Sequence, residues 1–414
     1  MMSMIDFSFT EEQKLMREAV REWCKKNLTL EKIREVDTKE EFPVEYMKGL
    51  SQLGVIGMTF PEEHGGAGSD WTTTVMVTEE LAYHDLTIVC PVTLMVLSTG
   101  WGFIIDKYCS EEVRDKYVKK CLRGEGLLGI ATTESQGGSD ISNVKTTAKK
   151  EGDKWVINGE KTFISGTEEM QKFGGGYWLL AGSKPELGHR GMTAFFLPLD
   201  TPGVKVTKRF EDMGRMGIST GGWFMDNVKL PDSYRLGDEN AGFYLTMEGF
   251  DAARLILSAT CVGAARRALD IGMDYIKNRV LFGRPIGKFE GIQFHLADLY
   301  TELEATRALI YKTAWLQDKR YKEETSMTTR EARTRAREVS KWISMCKSKA
   351  PFLAFDIFKS VMIWHGAMGY TKECPLEMGL RAIFSYCVGA EGAHAIQQLI
   401  IGRELLGKEF VPYR

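Results

Sequence analysis

The periodicity of apolar residues changes twice along this chain, and that change constrains its fold more than any other feature. From about Phe9 to Glu125 the pattern is helical, broken by loops. Thr10 is placed to cap the first helix, with Glu11 and Glu12 near its positive end. The run Pro61-Glu62-Glu63-His64-Gly65-Gly66-Ala67-Gly68 interrupts the helices, since proline and glycine both oppose helix continuation. From about Leu127 to Pro231 the pattern is that of short strands. Trp155-Val156-Ile157 and Thr162-Phe163-Ile164 flank Asn158-Gly159, a pair that suits a tight reversal, so a hairpin is expected there. Tyr177–Leu180 and Thr193–Leu197 are further strands of an expected antiparallel sandwich or barrel. After Ala241 the helical pattern returns. Ile292, Leu296, Leu299, Leu303 and Ile310 line one apolar face. Segments around Phe243–Lys277, Phe289–Asp318, Thr329–Met362 and Ala393–Leu406 predict a four-helix bundle. The expected class is mostly α with a central β-domain: an N-terminal helical domain over 1–126, a middle β-domain over 127–240 and a C-terminal bundle over 241–414.

Composition removes several function classes. A chain of 414 residues can bury the core of a multi-part enzyme subunit. A net charge of −2 argues against nucleic-acid binding, which rests on phosphate contacts. No apolar run reaches the roughly 20 residues needed to span a bilayer. The start, MMSMIDFSFTEEQ, lacks the basic and then apolar pattern of a signal peptide. The eight cysteines show no CxxC pair and no metal-type spacing with histidine, so no metal site is expected. They read as reduced thiols of a cytoplasmic protein.

Three segments carry candidate chemistry. Thr132-Thr133-Glu134-Ser135-Gln136-Gly137-Gly138-Ser139-Asp140 offers hydroxyls and close backbone amides to a heteroaromatic edge or a phosphate. On spacing alone it reads first as a solvated turn capped by Asp140. Arg279-Val280-Leu281-Phe282-Gly283-Arg284-Pro285-Ile286-Gly287 suits a diphosphate, or an ordinary helix stop at Gly283 and Pro285. Ala390-Glu391-Gly392 precedes the last long helix, where an acid also complements the helix dipole. Neither a Walker A loop nor GxGxxG is present, so a Rossmann site is unsupported.

Taken in order, these pieces resemble the acyl-CoA dehydrogenase family, from about residue 5 to residue 407. The family's "PEE.GG" loop corresponds to Pro61–Gly66, and its "TE…GSD" loop to Thr133-Glu134 and Gly138-Ser139-Asp140. "NG.K.[WF]I[ST]" corresponds to Asn158-Gly159-Glu160-Lys161-Thr162-Phe163-Ile164-Ser165, and "R..FG.PI" to Arg279–Ile286. A "GGxGY"-like stretch stands at Gly366-Ala367-Met368-Gly369-Tyr370. The closing "EG……IQ..I..R.LL" is met by Glu391-Gly392, Ile396-Gln397 and Arg403–Leu406.

The resemblance implies FAD between the β-domain and the bundle, with an acyl-CoA substrate and an electron-transferring flavoprotein as partner. Thr132 and Thr133 would bond the flavin's pyrimidine edge, Phe163 would lie against the isoalloxazine, and Ser165 would bond near N5. Arg279 and Phe282 would reach the cofactor of a neighbouring subunit, which implies a homo-oligomer, often a tetramer. Ser139, Asp251, Arg254 and Gly392 match substrate positions, the first three near the CoA thioester arm, and Ser139 is also among the cofactor-binding positions. The amide of Glu391 and a ribityl hydroxyl would polarise the thioester carbonyl.

In relatives the catalytic base stands either at the "EG" site or one residue before the arginine of a long helix. Here the second position is Ala253, in Asp251-Ala252-Ala253-Arg254, so Glu391 is the matching carboxylate. His394 and Glu134 are weaker candidates. The chain departs from the family at Ile363, Ala390, Ala393 and Ala395. These bear on dinucleotide binding and on the acyl pocket. Ala390, where an aromatic is usual, frees about a ring's volume beside the reacting carbons. A bulky, branched, cyclic or aryl-bearing acyl group is therefore expected, for example of cyclohexanecarboxyl or benzylsuccinyl type. The apolar stretch Thr87–Val96 is the candidate pocket helix, and it lacks the arginine by which glutaryl-specific relatives hold a distal carboxylate. That lowers, without excluding, a dicarboxylic substrate; Arg254 or a loop arginine would then serve. Alternatives are an enoyl-CoA reductase running the reverse reaction, a flavin oxidase or monooxygenase, and a non-enzymatic DNA-associated relative, which the absence of a basic tail disfavours.

Overall fold

Thr10 does cap the first helix. Its hydroxyl accepts from the Gln13 amide, and the Gln13 side chain accepts in return from the Thr10 amide, a closed capping box. The computed structural model describes residues 8–324, 326–410 and 412. The first region is helical: α1 (Glu11–Asn27), α2 (Leu30–Lys39), α3 (Val44–Gln52) and α4 (Trp71–His84). A wider, π-helical segment at Pro91–Trp101 runs on into α5 (Gly102–Tyr108). The pocket helix thus starts later than expected. The buried Asp85 carboxylate accepts from the Thr87 and Cys90 amides and holds residues 85–88 in a turn first. Every residue of Pro91–Trp101 is buried. Short helices α6 (Glu111–Val113) and α7 (Lys119–Leu122) close the region.

The middle region is a mixed sheet of eight strands: β1 (Leu127–Ala131), β2 (Thr147–Glu151), β3 (Lys154–Ser165), β4 (Gly175–Gly182), β5 (Met192–Leu197), β6 (Val204–Val206), β7 (Thr220–Pro231) and β8 (Arg235–Leu236). A short helix, α8 (Thr167–Phe173), joins β3 to β4. The order is β6-β7-β3-β2-β4-β5-β8, with β1 beside β4. Two contacts, β1 with β4 and β2 with β4, are parallel, so the sheet is not purely antiparallel.

The expected hairpin at Asn158-Gly159 is absent. Both residues lie inside one continuous strand, β3, at a register shift against β7. The glycine serves a close approach: a Cβ on Gly159 would come within 2.7 Å of the Thr146 Cα. Asn158 accepts the Asn227 amide at 2.8 Å. The reversal between β2 and β3 instead uses Gly152, at φ 65.

The last region holds three long helices: α9 (Gly242–Asn278), α10 (Glu290–Glu324) and α11 (Thr329–Trp364). Two shorter ones follow, α12 (Leu376–Val388) and α13 (His394–Leu406). The expected four-helix pattern omitted α12, although its buried Leu376, Gly379, Ala382, Ile383 and Tyr386 recur at helical spacing. On α10, Leu299, Leu303 and Ile310 are buried and Ile292 and Leu296 pack against them, as their spacing predicts. The central α9 packs against α11, α4 and the π-helical segment. Between α9 and α10, β9 (Val280–Leu281) and β10 (Arg284–Pro285) make a small hairpin.

Candidate active site

Glu391 lies in the turn between α12 and α13, three residues after α12 ends. Its backbone is fixed from below: Arg254 Nε on α9 donates to the Glu391 carbonyl at 2.9 Å. Gln397 donates to the Gly392 carbonyl at 3.4 Å. Gly392, at φ 92, permits this turn, and a Cβ there would sit 3.0 Å from both Arg254 and Gln397. Arg254 in turn pairs with Asp251 at 3.4 Å, and Ser340 donates to Asp251 at 3.0 Å. Asp251, Arg254 and Gly392 are therefore brought together under the glutamate. Ser139 stands elsewhere, exposed on the loop after β1, with no hydrogen bond to that group.

Burial raises the Glu391 carboxyl above its ordinary value, while Arg254, Trp101, Lys347 and Arg215 draw it the other way. Trp101 ends the π-helical segment and is fully buried. Its ring meets Phe250 edge-on at 5.0 Å, and Phe250 lies under the Arg254 guanidinium at 5.0 Å. The indole N–H makes no hydrogen bond within the chain, yet lies near enough to Glu391 to favour the ionised carboxylate. Sequence reading missed Trp101, Lys347, Arg215 and Tyr386, which come from four different elements. Ala253 is buried against Gly100, where a built Cβ would approach its Cα to 3.3 Å, so no carboxylate competes from that position. His394 instead contacts Ser348 at 3.3 Å and Phe352.

The loop after β1 has a different construction. Glu134 is buried and accepts from Lys161 Nζ at 2.7 Å, from the Thr146 amide at 3.0 Å and from Gln136 at 2.7 Å. Desolvation opposes its charge, but Lys161 and these donors win and bring the carboxyl down to about 2. Lys161 also donates to the Thr132 carbonyl at 3.3 Å, and the Thr162 amide donates to the Thr133 carbonyl at 3.0 Å. The pair thus clamps Thr132 and Thr133 to β3. Glu134 is a structural anchor, not a proton acceptor poised for catalysis.

Phe163 sits on β3 at φ 55, beside a register shift, and is 62% exposed. It stacks on Phe210 with centroids 4.6 Å apart and planes at 18°. Ser165 pairs with Thr220, whose buried hydroxyl lacks a partner, and the Ser165 carbonyl accepts from Tyr177. An exposed aromatic platform, an unpartnered hydroxyl and a clamped threonine pair fit a flat heteroaromatic group such as the flavin of FAD. Arg279 and Phe282 stand apart from both clusters. Arg279 is exposed at the end of α9, and Phe282, 93% exposed, tips the β9–β10 hairpin with φ 52. Among the described residues, no group of histidine, cysteine and acidic side chains could hold a metal ion, and no helix is long and apolar enough to cross a membrane.

Comparison with known proteins gives the same reading. Family profiles match for the acyl-CoA dehydrogenase N-terminal domain over 10–125, middle domain over 129–228 and C-terminal domain over 240–406. A 3-(aryl)acrylate reductase of Clostridium sporogenes is 33% identical, over 96% of this chain and 99% of its own. The CarC subunit of the caffeyl-CoA reductase-Etf complex of Acetobacterium woodii is 32% identical, over 97% of this chain and 100% of its own. A glutaryl-coenzyme A dehydrogenase solved with glutaryl-CoA superposes with a TM-score of 0.87 at 30% identity, covering 97% of both chains. The chain therefore belongs to the acyl-CoA dehydrogenase family, FAD-dependent oxidoreductases acting on CH–CH bonds, with the family's helical, β and helical domains.

Proposed function

We propose that this enzyme dehydrogenates an acyl-CoA thioester between Cα and Cβ, with Glu391 as the base that removes the α-proton. The observation that carries this reading is the setting of Glu391: burial raises its proton affinity, and Arg254 fixes its backbone. FAD would be held by Thr132, Thr133, Phe163 and Ser165 and would supply the acceptor of the β-hydride. The chain's own residues do the rest. The Glu391 amide polarises the thioester carbonyl and so acidifies the α-proton. The buried Pro91–Trp101 segment keeps water from the acyl group, and Trp101 steadies the carboxylate before it takes the proton. Asp251 and Arg254 would serve the CoA arm from beneath Glu391, Ser139 would approach it separately from the exposed loop after β1, and Gly392 gives the base its turn.

Ala390 is only partly buried beside the base and leaves room for a bulky, cyclic or aryl-bearing acyl group. Arg279 and Phe282, exposed at a hairpin, reach the cofactor of a second subunit in a homo-oligomer, a tetramer by family analogy. Electrons pass to an electron-transferring flavoprotein, as the name of the Acetobacterium relative suggests for that protein. Eight free thiols suit the reducing cytoplasm.

The reverse reaction, reduction of an enoyl-CoA, is the second reading. It is favoured by the two relatives named as reductases. Stopped-flow measurement of flavin bleaching by acyl-CoA esters tests the first reading, with reoxidation of the reduced enzyme by enoyl-CoA esters as its counterpart. Unchanged bleaching in Glu391→Gln would overturn the assignment of the base.

A further inference from the structure

Arg320, on α10, is a buried arginine whose bonding is incomplete. It is 6% exposed, its Nε has no partner within the chain, and its ion pair with Glu248 is long at 3.7 Å. Glu248 is already occupied: it accepts from Lys107 at 2.8 Å, from Tyr108 at 2.7 Å and from Tyr321 at 3.0 Å. The next acid on the same face of α9, one helical turn on, is Asp251. Asp251 receives Ser340 at 3.0 Å and Arg254 at 3.4 Å, and both contacts fall on its Oδ1. Its Oδ2 takes no hydrogen bond among the described residues.

Two more buried groups stand open in the same layer. Gln317 lies one turn before Arg320 on α10 and is fully buried, and neither its amide nitrogen nor its amide oxygen has a partner within the chain. Contacts on either side bracket it. Thr313, one turn earlier, meets Cys346 of α11 at 3.3 Å, and Tyr321, one turn later, meets Glu248 of α9. Ser344 of α11 is fully buried with an unpartnered hydroxyl, one turn after Ser340, whose own hydroxyl reaches Asp251. Gln317, Arg320 and Ser344 therefore line the junction of α9, α10 and α11 beside Asp251. An amide open at both ends, a hydroxyl and a guanidinium Nε are groups that ordered water satisfies in a protein interior. The junction backs onto the Glu391 turn, because Asp251 pairs with Arg254, and Arg254 Nε donates to the Glu391 carbonyl at 2.9 Å.

We propose that Arg320 and Gln317 are positioning residues of the Glu391 turn: with ordered water they hold the free oxygen of Asp251, so that Asp251 keeps Arg254 against the Glu391 carbonyl. The proposal rests on the reading of Glu391 as the base and deepens it. Three charged groups bear on Asp251, namely Arg254 and Glu248 on α9 and Arg320 on α10, while α11 supplies the neutral Ser340 and Lys107 of α5 is taken by Glu248. Burial pushes the Asp251 carboxyl up, and Arg254 and Arg320 draw it down. Loss of Arg320 raises it further, so Asp251 is neutral at low pH and regains its charge, and its hold on Arg254, as pH rises.

The test is stopped-flow flavin bleaching across pH in the FAD-loaded enzyme. The probe is whichever of butyryl-, cyclohexanecarbonyl- and phenylpropionyl-CoA, at saturation, bleaches the wild type fastest. Arg320→Met should slow bleaching by roughly 10- to 100-fold at the acid end of the range and recover to within about threefold at the alkaline end. Arg320→Lys, which keeps the charge, should stay within about threefold of wild type throughout. Gln317→Leu, which breaks the water link and leaves both charges, should slow bleaching by about 10-fold. In an Asp251→Asn background neither Arg320→Met nor Gln317→Leu should slow the enzyme further, since the residue through which they act is gone. Equal slowing with and without Asp251 would mean that the two residues only support the fold, and overturns the proposal. Wild-type speed in Arg320→Met overturns it as well, and wild-type speed in Gln317→Leu overturns the water link. FAD content and urea midpoints, measured alongside, separate a misfolded variant from a misplaced base. If none of the three esters bleaches the wild type, the dehydrogenase reading itself fails and the proposal falls with it.

Discussion

Two buried charge clusters, one in the loop after β1 and one around Glu391, follow opposite rules. At the flavin loop, Glu134 and Lys161 are mutually paired, and Glu134 is further satisfied by backbone amides and Gln136. At the acyl side, Glu391, Trp101, Arg215 and Tyr386 are buried or partly buried with donors and charges left open. A folded chain seldom leaves buried polar groups unsatisfied, because each forfeits its hydration without compensation. The closed cluster therefore reads as scaffold and the open one as the place where a ligand completes the structure. Both contain a glutamate near a lysine, so residue type alone does not separate them. The number of groups left wanting a partner does.

The largest test of this contrast is the exchange of Glu391 for glutamine. It should slow flavin reduction by about 100- to 10,000-fold, the range for loss of a general base, with bound FAD and thermal midpoint nearly unchanged. Lys161→Met should do the reverse. Leaving Glu134 buried and unpaired should cost about 3–5 kcal/mol in urea unfolding and release FAD, whereas any flavin-loaded fraction should keep its rate. The sign of the pH effect is fixed too. Because the folded-state value of Glu134 is depressed to about 2, its stabilisation is present above its unfolded value, ~4.3, and is lost as pH falls through about 2. Lys161→Met should flatten that acid dependence.

Two smaller effects sharpen the open side. Ala390→Phe should lower kcat/KM for branched or ring-bearing esters by about 10- to 100-fold and spare short straight chains, as overfilling a pocket by a ring demands. The same loss for both would remove the pocket reading. The acid limb of flavin reduction should lie above the range of an ordinary carboxylate, since burial raises Glu391. Removing the Arg215 charge should move that limb higher still, because a nearby cation favours the ionised base. A limb that stays in place would mean Arg215 does not sense Glu391.

Much of this was legible from the chain. The Thr10 cap, the apolar face of α10 and the strands containing Tyr177–Leu180 and Thr193–Leu197 follow from local chemistry and period. The hairpin at Asn158-Gly159 was misread because a glycine required for close approach to Thr146 looks, in sequence, like one required for a turn. Helix α12 was passed over because it sits between Pro375 and Gly389, residue types that oppose helix continuation. The residues proposed for the site, Glu391, Thr132, Thr133 and Phe163, were picked out by ordered motifs. Trp101, Arg215, Lys347 and Tyr386 were not, since their spacing along the chain carries no pattern.

The sequence by itself determined the order of helical, β and helical regions, and it placed a polar loop after β1 and a glutamate ahead of the last helix. These depend on contacts between near neighbours, which period, capping and short motifs encode. Only the tertiary structure decided which charges are matched. Arg254 meets Asp251 within one helix, but Glu134 finds Lys161 across 27 positions, and Arg215 reaches the neighbourhood of Glu391 from another domain without finding a partner. Burial and pairing are properties of the folded surroundings, so the unpartnered Arg215 Nε became visible only when the chain was seen closed around it.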